Sequence, residues 1–181
     1  MNKSSGVLAL VATAVLSISC SENGPSGPGA AQNSLVFIRA DQSVISFSSD
    51  ALLYVWCGSW EEGMIATPSF QVLFGGPGAG DPMWHLRAVV ADVKIGEALT
   101  FPNNFVFDLP QGVDLFLADL PNELSTQSSR SSGSITFQKL QCGSGGEVQF
   151  SIDAVIGSEF GNGPSVNVTG TFRAAIGQPP R

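Results

Sequence analysis

Among 181 residues the sequence has one histidine, one tyrosine, three cysteines and little positive charge. Eight Lys and Arg against fifteen Asp and Glu leave a formal net charge of −7. That is the wrong sign for a nucleic-acid binder, whose affinity comes from neutralising phosphates. One His and three Cys are too few ligands for a zinc cluster. No run reaches the roughly 18 uncharged apolar residues that a membrane-spanning helix needs. Charged residues make up 13% and hydrophobic ones 43%, which excludes disorder as the state of the whole chain. Catalytic motifs are missing too: there is no Gly-x-Ser-x-Gly elbow, no His-Glu-x-x-His and no phosphate loop before a helix. The expectation is one domain that is not an enzyme and carries no cofactor.

What is present begins at the N-terminus. Lys3 supplies a positive charge ahead of Val7–Ile18, an apolar run interrupted only by Thr13 and Ser17. This reads as the hydrophobic stretch of a signal peptide. It ends in Leu16-Ser17-Ile18-Ser19-Cys20, which resembles the lipobox of bacterial lipoproteins. In that family the preferred Leu stands three residues before the Cys; here Ser17 takes that place and Leu16 is one step earlier. The resemblance implies cleavage before Cys20 and acylation of that residue, so that the membrane is a partner through the acyl chains. An ordinary secretory peptide is the alternative. Ser21 is not Asp, which by resemblance to lipoproteins of two-membrane bacteria implies the outer membrane, on its periplasmic or surface face. Residues 20–34, rich in Gly, Pro and Ser, read as a flexible tether with a span of roughly 20 Å. The segments expected are therefore 1–19 signal peptide, 20–34 anchor and tether, 35–177 folded domain and 178–181 tail. Loss of Lys3 makes the mature chain one charge more negative, so the lipid, not electrostatics, would hold it to an anionic surface.

From Leu35 onward the hydrophobic period is two, which predicts an all-β domain. Val148, Phe150, Ile152, Ala154 and Ile156 alternate with polar residues, as do Val166, Val168, Phe172 and Ala174. With Ile135 and Phe137 they predict a three-stranded meander over 133–177, punctuated by Gly143-Ser144-Gly145-Gly146 and Gly161-Asn162-Gly163-Pro164. Upstream, strands are expected at Leu35–Arg39, Val44–Ser48, Leu52–Cys57, Ser69–Phe74, Trp84–Val93, Asn104–Leu109 and Val113–Ala118. About ten strands at this spacing predict an antiparallel sandwich or barrel. Leu52–Cys57 is apolar on both faces, the pattern of a strand between two layers. Asp119–Gln127 contains Pro121 and reads as a turn at most, and the Ser-rich stretch 125–134 as a mobile surface loop.

Three groups of residues are candidates for chemistry. Cys57 and Cys142 remain as an even pair once Cys20 is lipidated, and in an oxidising compartment they are expected to form a disulfide. Such a bridge would contribute roughly 4–5 kcal/mol in the chain-entropy model. Trp56, Trp60 and Trp84 could provide a flat ligand platform; the competing expectation is that Trp56 lies in the core and Trp60 packs over the disulfide, with Trp84 opening a solvated edge strand that carries His85 and Arg87. Asp108, Asp114, Asp119 and Glu123 gather around two loops, a weak calcium candidate without the regular loop spacing; the alternative is a solvated acidic rim. Asp153 and Arg173 are placed to pair across neighbouring strands. A Ser-His-Asp arrangement around His85 stays open, while the adjacent Glu61 and Glu62 would point to opposite faces of a strand.

Ser132–Phe137, Gly146–Phe150 and Val168–Ile176 are similar to the closing hairpins of small all-β bacterial lipoprotein domains of unknown function, a resemblance that implies fold alone. Gly58-Ser59-Trp60 is similar to the Gly-x-Trp of lipocalins, with Arg173 in the last strand where that family's packing Arg falls. The first functional expectation is a non-catalytic envelope module that binds a protein or glycan. The alternative is a lipocalin-like barrel carrying a hydrophobic ligand, for which a cavity lined by Phe would be the mark.

Overall fold

A computed structural model describes residues 32–62, 65–76, 78, 80–102, 112–143, 145–158 and 163–177. The signal peptide, Cys20, the body of the tether and the expected strand Asn104–Leu109 with Asp108 lie outside the described residues, as do the side chains of Trp60, Glu61 and Glu62. No described helix is long and apolar enough to cross a membrane.

The domain is all-β, as the period of two predicts: eleven strands form one antiparallel curled sheet. They are β1 (Gln32–Asn33), β2 (Val36–Arg39), β3 (Leu52–Glu62), β4 (Ile65–Gly75), β5 (Met83–Val89), β6 (Ala98–Phe101), β7 (Val113–Asp119), β8 (Asn122–Ser125), β9 (Ser132–Leu140), β10 (Glu147–Ser158) and β11 (Ser165–Ala175). One turn of 3₁₀ helix, Val90–Asp92, ends β5 early. The expected strand Val44–Ser48 reduces to a single bridge between Val44 and Ile38.

β10 is the branch point. Along its length one side pairs with β11. On the other, Val148–Val155 pairs with β9, and only Gly157 and Ser158 continue onto β8. Two limbs therefore leave it: the closing meander β9–β10–β11, with β6 on β9 and β1 and β2 on β11, and the run β8–β7–β5–β4–β3. The second limb curls over so that both inner faces share one core. Phe70 meets Phe137 edge-on at 6.2 Å, and Trp84 meets Phe172 at 5.8 Å. Phe150 stacks on Phe172 at 5.1 Å, and Phe37, Leu86, Leu115, Leu124 and Ile135 are fully buried around them. Such ring pairs add about 0.5–1.5 kcal/mol each beyond the area they remove from water.

The two limbs are tied where they meet again. Cys57 on β3 and Cys142 after β9 form the expected disulfide, with Cα atoms 5.6 Å apart. Beside it the N–H of Gly177, just past β11, donates to the carbonyl of Val55 at 2.8 Å. Among the described strands β3 pairs only with β4, so it is an edge strand with Leu52 48% exposed, not a strand sandwiched between layers. Its second apolar row lies on the outer face of the sheet.

Other differences have physical causes. Gln32–Asn33, expected at the end of the tether, pairs with Arg173 and Phe172. The chain then crosses over Gly170, whose φ is +133° and where an added Cβ would stand 2.3 Å from the Ser34 carbonyl oxygen; only glycine allows that approach. Leu120 and Pro121 do make a turn, but β8 follows at once and pairs with β7. The Ser-rich stretch 125–134 is not a surface loop throughout: it ends β8, turns, and begins β9. Ser125, Thr126 and Ser131 are buried, and their hydroxyls replace ladder hydrogen bonds: Leu115 N–H donates to Thr126 Oγ1 at 2.8 Å and Gly157 N–H to Ser131 Oγ at 2.8 Å.

Candidate functional site

The register of the β3–β8 limb lines up its outward-facing side chains in rows. One row runs Trp56, Gln71, Arg87, Asp114 and the next Tyr54, Leu73, His85, Phe116, Ser125. Their partners on the alternate positions, Phe70, Val72, Trp84, Leu86 and Leu115, point into the core. Trp56 and Trp84 therefore lie on opposite faces and cannot form one platform. Trp84 is fully buried on a central strand, not at a solvated edge. Its indole N–H has no hydrogen-bond acceptor among the described residues. Trp56 is half-buried and outside the core.

On the outer face Trp56 stacks on the ring of His85, centroids 6.1 Å apart and planes within 19°. Below them the Gln71 amide donates to the Ser59 carbonyl and to Ser69 Oγ, both at 3.0 Å. With its NH₂ so used, Gln71 Oε1 accepts from His85 Nε2 at 3.2 Å, which assigns the ring proton to Nε2. Burial pushes the His85 pKa down to about 4, and the neighbouring Arg87 cation pushes the same way against the opposing pull of Asp114. The ring is neutral at neutral pH and bonded to an amide; no described hydroxyl or carboxylate hydrogen-bonds to it. A Ser-His-Asp arrangement is not assembled here.

The acids occupy places that the sequence does not anticipate. Asp114, its side chain 3% exposed, accepts from Arg87 Nη2 at 2.8 Å, Ser125 Oγ at 2.9 Å and Thr126 Oγ1 at 3.3 Å. Asp119 accepts both limbs of the Arg39 fork, Nε at 2.6 Å and Nη2 at 2.7 Å. Two arginines thus neutralise the two buried aspartates of the expected acidic rim; among its described members Glu123 is the one that is solvated. The described residues contain no group of three His, Cys, Asp or Glu that could hold a metal ion; Asp114 and Asp119 are each engaged by a different arginine, and Asp108 lies outside the described residues. Arg173 pairs with Glu147, not with Asp153: the register sets Asp153 opposite Thr169 and Arg173 opposite Gln149, two residues along the same face from Glu147. Lys139 reaches the same carboxylate at 2.6 Å, and together they hold Glu147 down to about 2. Arg173 therefore stands on the wet face, more than half exposed.

A cleft of about 220 Å³ opens beside the Arg39–Asp119 pair. Arg39, Ala40 and Asp41 form one wall, Asp119, Asn122 and Leu124 the second, and Pro164 and Val166 the third. Arg39 and Gln71 were not legible as site residues, because the Arg39 carboxylate partner is 80 positions away and Gln71 reaches Ser59 and His85 at 12 and 14; Asn122 is brought to the cleft by the β7–β8 turn alone. No family model, curated protein or solved structure matches the chain.

Proposed function

We propose that the chain is a lipid-anchored, non-catalytic binding module of the bacterial cell envelope, acylated at Cys20 and held at the outer membrane, with an envelope protein or glycan as its partner. The lipobox-like segment supports the anchor. The Cys57–Cys142 bridge is the chemistry of an oxidising compartment and supports export. The observation that supports a surface binder over a hydrophobic carrier is the ring packing of the described interior: Phe37, Phe70, Trp84, Phe137, Phe150 and Phe172 meet one another in a chain of ring contacts. His85, Arg87, Asp114 and Asp119 of the β3–β8 limb are engaged in ion pairs and hydrogen bonds, which favours recognition over catalysis.

The test is metabolic labelling of the full chain with a palmitate analogue, followed by native mass spectrometry in detergent. Label on the wild type that is lost in Cys20→Ala, with no co-purifying apolar mass, is the expected result. An unlabelled chain overturns the anchor, and a bound hydrophobic compound returns the carrier reading.

A further inference from the structure

The cleft beside Arg39 stands at a defined place relative to the tether. β1 pairs with the C-terminal end of β11 at Arg173, while Arg39 at the end of β2 pairs with Val166 near its beginning. Seven residues of extended chain separate these points, about 23 Å at the rise of a strand. The tether therefore joins the domain at one pole, and the cleft opens at the other, formed by the β7–β8 turn and the start of β11.

Its chemistry is mixed in a specific way. The exposed Pro164 and Ala40 supply its apolar edge, with the buried Leu124 and Val166 behind them as the floor. The Arg39 guanidinium is fixed by the two bonds to Asp119 and by Nη1 donating to Ser43 Oγ at 3.2 Å. Three of its five N–H groups are thus used, leaving two to donate outward. Asp119 keeps acceptor capacity beyond the fork, and the half-buried Asn122 amide makes no side-chain hydrogen bond among the described residues. Arg39 is neutralised by Asp119, and Asp41 adds a further negative charge, so an anion gains little here. A hydroxyl both donates and accepts, and suits such a set. The volume lies below the roughly 300–1,000 Å³ of clefts that take drug-sized ligands, which limits the occupant to one ring.

We propose that this cleft is a subsite for one neutral sugar ring of an envelope glycan, its C–H face against Pro164 and Ala40 and its hydroxyls on Arg39, Asn122 and Asp119. The proposal rests on the envelope-binding reading above and names its ligand. The full chain, in a sugar-free zwitterionic detergent, is presented to an array of neutral oligosaccharides and then to diacetylchitobiose and maltotriose in solution by saturation-transfer NMR, with tri-lysine and a polysulfated glycan as comparators. Binding of a neutral saccharide is expected, weakened about tenfold in Asn122→Ala, the scale of one lost hydrogen bond to a ligand, with an unchanged melting midpoint because that amide holds nothing in the fold. Ala40→Leu, which narrows the lip, is expected to weaken it further, and Trp56→Ala to leave it unchanged. Binding that follows Trp56 instead, preference for tri-lysine, or no saccharide bound by an acylated chain each overturns the cleft while leaving the anchor standing. Saccharide binding by an unlabelled chain overturns the anchor and supports the cleft.

Discussion

On the meander limb Asp153, Asn167, Thr169, Thr171 and Arg173 stand in solvent, whereas on the β3–β8 limb Gln71, Asp114, Ser125 and Thr126 also face away from the core and yet are buried. The first limb keeps its polar residues hydrated and gains little from pairing them. The second has removed polar groups from water and must satisfy each with a partner, because an unsatisfied one costs about 1–3 kcal/mol. Gln71 is met by Ser59, Ser69 and His85, and Asp114 by Arg87, Ser125 and Thr126. The same architecture thus carries a tolerant face and a demanding one, and substitutions should separate them.

The largest effect is expected where the limbs are joined. The Cys57–Cys142 bridge closes a loop of sequence separation 85, and in the chain-entropy model its loss removes about 4–5 kcal/mol. Cys57→Ser with Cys142→Ser should lower the unfolding free energy by that amount, and the denaturation midpoint with it, while reduction of the wild type with dithiothreitol should reproduce the shift. A midpoint unchanged by both would mean that Gly177 and the shared core hold β3 in place unaided.

Next comes Asp114→Ala, which leaves Arg87, Ser125 and Thr126 without their common acceptor. Breaking a buried pair from one side costs about 3–5 kcal/mol; the lower end is expected, because Arg87 keeps 29% of its side chain exposed. Asp153→Ala on the meander limb removes an exposed carboxylate and should leave the chemical-denaturation midpoint where it is. Equal effects of the two would erase the contrast between the limbs.

The contrast also decides what was legible. The meander was readable residue by residue, because one wet and one dry face produce clean alternation: Val166, Val168 and Phe172 are buried between exposed Asn167, Thr169, Thr171 and Arg173. On the second limb both faces are partly dry, so alternation fades and Leu52–Cys57 looked like an inner strand. Strands β6 and β8, four residues each, are too short to show a period. Hydroxyls that replace ladder bonds, as in Thr126 and Ser131, carry the composition of a loop. The disulfide was readable by counting cysteines; the Arg39–Asp119 pair was not, since its members lie 80 residues apart and no local spacing announces them.

Acid separates the limbs in sequence. His85 sits at about 4 in the fold against an ordinary 6.5, so between those values the unfolded chain binds a proton that the folded one refuses. Stability contributed by the neutral ring is whole above 6.5 and falls with pH toward 4, by up to about 3 kcal/mol. His85→Phe removes that titration, and its stability should be flatter than the wild type's from pH 6.5 to 4.5. A wild-type curve already flat in that window would mean that the Trp56–His85 stack opens to water.

The smallest effect belongs to Glu147 on the meander limb. Hydrogen bonds from Arg173 and then Lys139 hold it at about 2, against an ordinary 4.5. The folded chain keeps the carboxylate charged where the unfolded chain has already taken up a proton, so the contribution is whole above 4.5 and drains as pH falls toward 2. This window begins where that of His85 is nearly spent. The carboxylate is half-buried but its partners Lys139 and Arg173 stand largely in solvent, so screening leaves it a small share. Glu147→Gln is expected to leave the melting midpoint at pH 7 nearly unchanged and to flatten the loss below 4.5, with the difference shrinking further in 1 M salt. A large drop at pH 7, or one insensitive to salt, would show that the Arg173–Glu147–Lys139 cluster is as demanding as the buried network on the other limb, and the division between the two would fail at its weakest point.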